Sequence, residues 1–185
     1  MKTVSFTGHR PDKFLGKYDE SHLQTRAIKG ELAKQIKALV EIGYGEFISG
    51  GALGIDTWAA EIIVEFKKAK PNLKLTIAKP FPSQDSMWPE ESKTRFKGFC
   101  DSADKIVDVS DDPYAAWKMQ TRNEWMVDNS DLVLAVWDGS SGGTGNCVKY
   151  AKKKNKEIII IDPSKIVYGP KSAGLQMVLP LDGMS

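Results

Sequence analysis

Short apolar runs alternate with amphipathic helical segments along most of this 185-residue chain, and this alternation is the strongest constraint on its fold. The runs at 132–137 and 157–161 consist almost entirely of apolar residues, which is typical of strands that are covered on both faces. Strands that are joined through helices pair in parallel and leave helices on both faces of the sheet. The sequence therefore predicts an α/β, Rossmann-like fold with a mostly parallel sheet.

The same patterns predict where the individual elements lie. The clearest helix spans 21–42, because Leu32, Ile36 and Leu39 recur on one face. Gly43 then stands where a left-handed helix stop is favoured, and Pro71 marks the end of the second helix. The expected strands are 3–7, 46–49, 73–78, 105–109, 132–137 and 157–161, and the expected helices are 21–42, 55–70, 86–99, 114–129 and 147–154.

The length of the chain favours one domain with a sizeable core. We expect a Rossmann nucleotide-binding domain over 1–162, with 163–185 as a tail or edge segment of the same domain. This tail has no strong periodicity. It is interpreted as an edge segment, a partly disordered end or a dimer arm, and the last of these would make the protein a homo-oligomer.

Composition limits the classes of partner. Lysine and arginine total 26 against 24 acidic residues, so no overall positive field for nucleic acid is present, although a local basic groove remains compatible with this balance. Cys100 and Cys147 are not close in sequence to each other or to a histidine, so no metal site is expected. No cofactor is expected either. No apolar stretch approaches the roughly 20 residues that cross a bilayer. We therefore expect a cytoplasmic protein with reduced thiols and no membrane partner.

The strongest local signal is the glycine turn Ser-Gly-Gly-Ala-Leu-Gly-Ile-Asp at 49–56, placed where a strand leads into a helix. Glycine lets the backbone approach a ligand, and a helix N-terminus attracts anions, so phosphate is the expected guest. The spacing matches neither the dinucleotide fingerprint nor the P-loop. Asp56 is expected to cap the helix, with ribose hydroxyl contact as the alternative. The candidate binding residues are Ser49, Gly50, Gly51, Ala52, Gly54 and Asp56.

A second glycine loop, at 138–146, also follows an apolar strand and precedes a helix. Ligands of open parallel sheets collect beyond the carboxyl ends of the strands, where the strand order reverses. We expect this reversal near the first strand, with both glycine loops in one crevice. The alternative, that each is a flexible turn, is weaker for two loops than for one. The candidate binding residues here are Asp138, Gly142, Gly143, Thr144 and Asn146.

The turn after the first strand is the third element, and it contributes Thr7, Gly8, His9 and Arg10 as candidate binding residues. Arg10 can hold a phosphate through two parallel hydrogen bonds. His9 can titrate near neutral pH, yet a lone histidine is more often a structural hydrogen-bonding residue. Arg10 is therefore favoured over His9 as the ligand contact.

Two further candidates come from single residues. Arg122 lies in the helix before the strand at 132–137, which should bring its side chain toward the glycine loops. Its alternative role is a surface salt bridge. Phe81 follows the third strand, where it could stack on a base or pack in the core.

Together these motifs resemble the SLOG superfamily, which includes the DNA-processing DprA (Smf) proteins and the Lonely-guy nucleotide hydrolases, and they resemble its YpsA-like branch most. The resemblance covers about 2–161 and rests on the glycine turn at 49–56 and the first-strand turn at 7–10. It implies a Rossmann-like fold with a nucleotide-type ligand. The spacing of Arg122, Met126, Ser130 and Asp131 is similar to that in Lonely-guy proteins, which implies a functional role for Arg122.

The chain departs from the Lonely-guy pattern in its second glycine loop. That family continues with a PGGxGTxxE-like signature, whereas 141–147 reads Ser-Gly-Gly-Thr-Gly-Asn-Cys, without the proline or the glutamate. N-glycosidic cleavage generally needs a carboxylate to stabilise positive charge on ribose or to activate water. Asp56 and Asp138 could replace it, so these two and Arg122 are the candidate catalytic residues.

Three functions follow from these observations. The favoured one is binding of a nucleotide or nucleotide-derived small molecule, for sensing, carrying or sequestering it. The second is an enzyme, a nucleoside-monophosphate N-glycosidic hydrolase, which the missing glutamate disfavours. The third is DprA-like binding of single-stranded DNA, which the near-neutral net charge disfavours. Fold analogy alone cannot choose among the three.

Overall fold

Strands and helices alternate along residues 1–168, the part of the chain that the structure, a computed structural model, describes. The strands are β1 (Lys2–Gly8), β2 (Tyr44–Ser49), β3 (Lys74–Lys79), β4 (Lys105–Asp108), β5 (Leu132–Val136) and β6 (Glu157–Ile161). The helices are α1 (Leu23–Glu41), α2 (Ile55–Ala69), α3 (Glu90–Asp101), α4 (Ala116–Asp128) and α5 (Gly143–Lys153). A 3₁₀ turn at Pro11–Lys13 follows β1.

All six strands pair in parallel, in the order β4-β3-β2-β1-β5-β6. From β1 the chain steps outward through β2 and β3 to β4, and then returns to place β5 on the other side of β1. The strand order therefore reverses beside β1, as the sequence predicts. Because every strand is parallel, all the strand-to-helix turns lie at one edge of the sheet, the carboxyl edge.

The strand side chains show that helices cover both faces of the sheet. Val4 and Phe6 of β1 belong to the main core, together with apolar residues of α1, α2 and α3. Val133 of β5 faces the opposite way and packs with Cys147 and Ala151 of α5. Helices α1 to α3 thus cover one face and α4 and α5 the other, which confirms the predicted Rossmann-like α/β fold.

Two helices, α3 and α5, begin four residues away from the expected start. Helix α3 starts at Glu90 rather than 86, because Pro89 keeps the residue before it out of the helical conformation. Helix α5 starts at Gly143 rather than 147, after Gly142 turns the chain with a φ of 137°. The second glycine loop is therefore shorter than predicted, and Gly143, Thr144 and Asn146 lie in the first turn of α5.

The expected tail at 163–185 lies mostly outside the described residues, since the structure describes only 163–168 of it. Its role as an edge segment or dimer arm stays a prediction, as does the division of the domain at 162. Within residues 1–168 no helix is long and apolar enough to cross a membrane. Over the same range no cluster of three or more potential metal ligands is present, and both cysteines are free thiols.

Candidate functional site

The turns after β1, β2 and β5 are in contact at the carboxyl edge of the sheet. A Cβ atom at Gly8 would lie 2.4 Å from Cγ1 of Ile55, and one at Gly54 would lie 2.9 Å from the carbonyl oxygen of His9. His9 Nε2 is 2.8 Å from Oδ1 of Asp138, in the turn after β5. The first-strand turn therefore joins the two glycine loops, which the sequence predicts to share one crevice.

The guanidinium of Arg122 lies against the backbone of Gly50. Arg122 is one of the buried residues of α4, and it is only 5% exposed. A Cβ atom at Gly50 would lie 1.4 Å from Nη1 of Arg122 and 2.3 Å from Cζ. The missing side chain of Gly50 is thus what makes room for the guanidinium. Because Arg122 is buried, the alternative of a surface salt bridge is wrong.

Arg122 lacks hydrogen-bond partners for much of its guanidinium. Its Nε and Nη1 atoms are buried and make no hydrogen bond within residues 1–168. The carboxylate of Asp56 is 3.5 Å from Nη1, which is an ion-pair distance. An unmet buried donor costs about 1–3 kcal/mol, and more when it is charged. The site is therefore one that an added acceptor, such as a phosphate oxygen, would stabilise.

Asp56 lies in the first turn of α2 and is 8% exposed. Burial raises the pKa of its carboxyl, although Arg122, Arg10 and the N–H of Ala52 act in the opposite direction. The N-cap residue of α2 is Gly54, and no side chain caps this helix. The expectation that Asp56 caps the helix is therefore wrong. Its carboxylate accepts the Ala52 N–H instead and holds the glycine turn from within.

Ser49 also serves the glycine turn. Its hydroxyl donates to the carbonyl oxygen of Asp56 at 2.7 Å and accepts the N–H of Gly51 at 3.1 Å. Gly51 has a φ of 63° and Gly54 a φ of 95°, which glycine adopts without strain. The turn is therefore fixed by its own hydrogen bonds before any ligand binds.

His9 and Asp138 connect the turns after β1 and β5. Besides the contact with His9, the carboxylate of Asp138 accepts the N–H of Ser140 at 2.9 Å. Hydrogen bonds from Ser140 first, and then from His9, hold the pKa of Asp138 well below its usual range. A carboxylate that stays ionised and bonded in this way suits positioning of the loop better than proton transfer.

The second glycine loop presents a mixed set of side chains. Gly142, Gly143 and Asn146 are exposed, whereas Thr144 is buried in the first turn of α5. Cys147, one turn further on, is close enough to Asp56 and Arg122 for their charges to act on the pKa of its thiol. The start of α5 therefore lies near the buried arginine.

Thr7 and Cys147 form a contact that the sequence did not indicate. The Thr7 hydroxyl hydrogen-bonds the Cys147 thiol, and burial raises the pKa of this thiol to about 11. Thr7 is thus engaged in packing β1 against α5. Its role as a ligand contact remains a prediction.

The model of the YspA SLOG family matches residues 4–166, which is most of the chain. The chain belongs to the YspA SLOG family. This membership confirms the resemblance that the two glycine-containing turns indicated.

Relatives of this YspA SLOG domain include two bacterial proteins without an assigned activity in their names. A UPF0398 protein of Halalkalibacterium halodurans is 30% identical over 159 residues, which are 85% of this chain and 84% of the relative. The SPbeta prophage-derived protein YoqJ of Bacillus subtilis is 42% identical over 118 residues, 58% of this chain and 69% of the relative.

Two solved structures share the fold. DNA processing protein A of Helicobacter pylori, described for its single-stranded DNA binding mode, has a TM-score of 0.60 at 19% identity, covering 87% of this chain and 65% of its own. The corresponding protein of Streptococcus pneumoniae has a TM-score of 0.55 at 17% identity, covering 87% and 50%. The YspA SLOG chain thus spans between half and two thirds of these proteins, and at such identities the likeness shows the fold alone.

Aromatic residues at the carboxyl edge of the YspA SLOG domain differ in exposure. Phe81 is buried and meets Tyr114 edge to face, with ring centroids 5.8 Å apart. The packing alternative for Phe81 is therefore what the structure shows. Tyr114, which sequence reasoning missed, is 64% exposed at this edge. Tyr114 lies in the connection from β4 to α4, and this strand-to-helix position could have identified it as a candidate residue.

The connection between β1 and α1 is anchored by Glu20. Its carboxylate accepts hydrogen bonds from Trp58 Nε1 at 2.6 Å, from Arg95 Nη1 at 2.6 Å and from Lys29 Nζ at 2.8 Å. Burial acts to raise the pKa of Glu20, but the bonds from Arg95, Lys29 and Trp58 outweigh it and lower the pKa to about 2. This network fixes the loop that begins at Arg10.

We expect Glu20→Gln to lower the free energy of unfolding by roughly 1–3 kcal/mol at pH 7, because an amide cannot form charge-assisted bonds with Arg95 and Lys29. The lowered pKa means that this stabilisation is complete above the ordinary value of 4.5 and is lost as the pH falls toward 2. Urea unfolding at pH 7 and in acid measures both effects. Glu90→Gln is the control, since that side chain is 86% exposed in its ion pair. A difference between wild type and variant that persists undiminished at low pH would contradict this account.

Proposed function

We propose that the protein binds a nucleotide or nucleotide-derived small molecule at the carboxyl edge of β1, β2 and β5. The observation that carries this proposal is Arg122, a buried cation with two nitrogens that lack a hydrogen-bond partner within the described chain. A buried donor without a protein partner calls for an acceptor, which an ordered water, an ion or a ligand can supply. A phosphate supplies both the charge and the acceptors that a guanidinium binds best.

The surroundings of Arg122 favour a phosphate for two further reasons. Helices α2 and α5 both begin at this edge, and their first N–H groups carry partial positive charge. Arg10 adds a second cation at the start of the β1–α1 loop, close enough to act on both Asp56 and Arg122. The candidate residues of the glycine turns would then contact the ligand through their backbone.

Hydrolysis is the second candidate because a buried carboxyl lies beside the arginine. Asp56 has a pKa that burial raises, which suits a general acid or base, and it is an ion-pair distance from Arg122. It could take the place of the absent Lonely-guy glutamate. Against this, its carboxylate already accepts the Ala52 N–H and holds the turn. Binding is therefore the better supported function.

Calorimetry with the four common ribonucleoside monophosphates tests the proposed binding, after native mass spectrometry of the purified protein for any ligand that co-purifies. We expect at least one nucleotide to bind, and Arg10→Ala to weaken that binding by roughly 10- to 150-fold, since charge-assisted hydrogen bonds contribute about 1.5–3 kcal/mol. Lys153→Ala, an exposed cation at the far end of α5, is the control. Equal affinities in wild type and Arg10→Ala would remove Arg10 from the site.

We expect these nucleotides to be bound without rapid release of free base. Asn146 and Cys147 occupy the region where the resemblance implies a glutamate, and a lost electrostatic group usually lowers a rate by roughly 100- to 1,000-fold. Chromatography of timed incubations measures the free base. Release at many turnovers per minute that Asp56→Asn abolishes would promote the hydrolase over the binding protein.

A further inference from the structure

Two aromatic side chains stand exposed at the same edge of the sheet as the proposed phosphate site. Tyr114 is 64% exposed and Trp117 is 62% exposed. They lie where the chain leaves β4 and enters α4, so they belong to the same carboxyl edge as the glycine turns. Exposed aromatic rings at a ligand-binding edge are surfaces on which a planar base can stack.

A chain of contacts links this aromatic pair to the glycine turn. Gln84, in the loop after β3, has its Nε2 3.5 Å from the carbonyl oxygen of Gly50. In the same loop, the N–H and hydroxyl of Ser83 donate to Oδ1 of Asp112 at 3.2 and 2.5 Å. The loop after β3 therefore bridges the glycine turn and the loop that carries Tyr114.

A second connection runs through α4. Lys118, which is buried, donates its ammonium protons to the carbonyl oxygens of Asp111 and Pro113. Arg122 follows one turn later on the same helix face, about 6 Å further along the axis. The loop before α4 is thus tied to the helix that positions the buried guanidinium, and the aromatic pair has a fixed relation to it.

Tyr114 is held in place before any ligand arrives. Its ring packs edge to face on the buried Phe81, and the loop around it is fastened by Lys118 and Ser83. The ammonium of Lys118 also lies 5.5 Å from the centroid of the Trp117 ring. Rings that are already oriented lose little conformational entropy on binding, which favours stacking.

The charges around the aromatic pair decide what can occupy it. Asp111 and Asp112 shortly precede Tyr114 in the chain, and both are exposed. These carboxylates repel a phosphate, whereas a neutral base is not repelled. The cations Arg10 and Arg122 lie by the glycine turns. Trp117 lies five positions before Arg122 on α4 and therefore projects from a different face of the helix. We infer that Tyr114 forms the base subsite for a mononucleotide whose phosphate lies at the arginines, an inference that rests on the proposed function.

The same charges argue against a single strand as the occupant. Successive phosphates of a strand that passed over Tyr114 would approach Asp111 and Asp112, and stacking proteins for single strands instead follow the backbone with a positive groove. The base subsite is thus suited to one nucleotide, with its base and its charge at opposite ends.

Calorimetry with the ribonucleoside monophosphates, with ribose 5-phosphate and with a short oligothymidylate tests this subsite. We expect Tyr114→Ala to weaken nucleotide binding by roughly five- to 150-fold, the range for loss of one base–aromatic stack. Tyr114→Phe, which keeps the ring, should bind within about twofold of wild type, a smaller change than any lost stack gives. The affinity for ribose 5-phosphate, which has no base, should not change in Tyr114→Ala. Thermal unfolding of each variant shows that the packing on Phe81 survives.

The outcomes separate this inference from the proposed function. If nucleotides bind to the wild type and Tyr114→Ala binds them equally well, the base subsite is wrong and the phosphate site stands. Tighter binding of the oligothymidylate than of every mononucleotide overturns the choice of a single nucleotide. If neither the nucleotides nor ribose 5-phosphate bind, the proposed function and this inference both fail.

Discussion

Gly50→Ala is expected to fold and to lose most of its nucleotide affinity. The φ of Gly50 lies outside the left-handed region, so alanine can adopt the same backbone. Its Cβ, however, would lie 1.4 Å from Nη1 of Arg122 and 2.8 Å from Oδ2 of Asp56. The guanidinium must therefore leave its place. We expect an affinity loss of roughly 10- to 150-fold, as for a lost charge-assisted contact, with a destabilisation of about 1–3 kcal/mol from overpacking.

Gly30→Ala is the matched control for this experiment. Gly30 lies within α1, and a Cβ atom there would meet no atom of the described residues within 4 Å apart from its chain neighbours and the backbone of its own helix. Alanine should stabilise the helix by about 0.5–1 kcal/mol and leave nucleotide binding unchanged. Calorimetry and urea unfolding of both variants measure the two effects. Wild-type affinity in Gly50→Ala would show that the guanidinium position is irrelevant to binding.

The sheet could be predicted from sequence because its signals are local. Apolar runs such as 157–161 identify covered strands without any tertiary information, and parallel connections then require the glycine turns to share one edge. The start of α5 could not be predicted in this way. Gly142, with its φ of 137°, leads directly into Gly143 as the first helical residue, although two glycines in sequence indicate a loop.

The candidate site was predictable in its composition and not in its contacts. The resemblance indicated Arg122 as functional, yet its burial depends on the space left by Gly50, 72 positions earlier in the chain. The internal role of Asp56 depends on how the turn folds back on itself. The orientation of the Tyr114 ring depends on its contact with Phe81, which comes from another strand-to-helix loop. Each of these is a contact across loops, for which a single sequence has no periodic signal.

Arg122→Met is expected to destabilise the protein by about 3–5 kcal/mol at pH 7, the usual result of removing one partner from a buried ion pair. The side chains of Arg122 and Asp56 are only 6% and 11% exposed, so solvent screens the remaining carboxylate poorly. Burial already raises the pKa of Asp56, and loss of Arg122 removes an opposing influence. The folded variant then binds a proton more readily than the unfolded chain does. Its stability should therefore fall as the pH rises through the folded-state pKa, and recover in acid.

The double variant Arg122→Met with Asp56→Leu separates the stability of the pair from its function. Replacing both charges with apolar groups removes the unpaired carboxylate, so urea unfolding should show most of the lost stability restored. The Ala52 N–H loses its acceptor, a smaller cost of about 1 kcal/mol. Nucleotide binding should nevertheless be absent by calorimetry, because the cation that holds the phosphate is gone. A double variant as unstable as Arg122→Met would mean that the arginine stabilises the site by packing. Full nucleotide affinity in the stable double variant would mean that the buried pair is not the binding site.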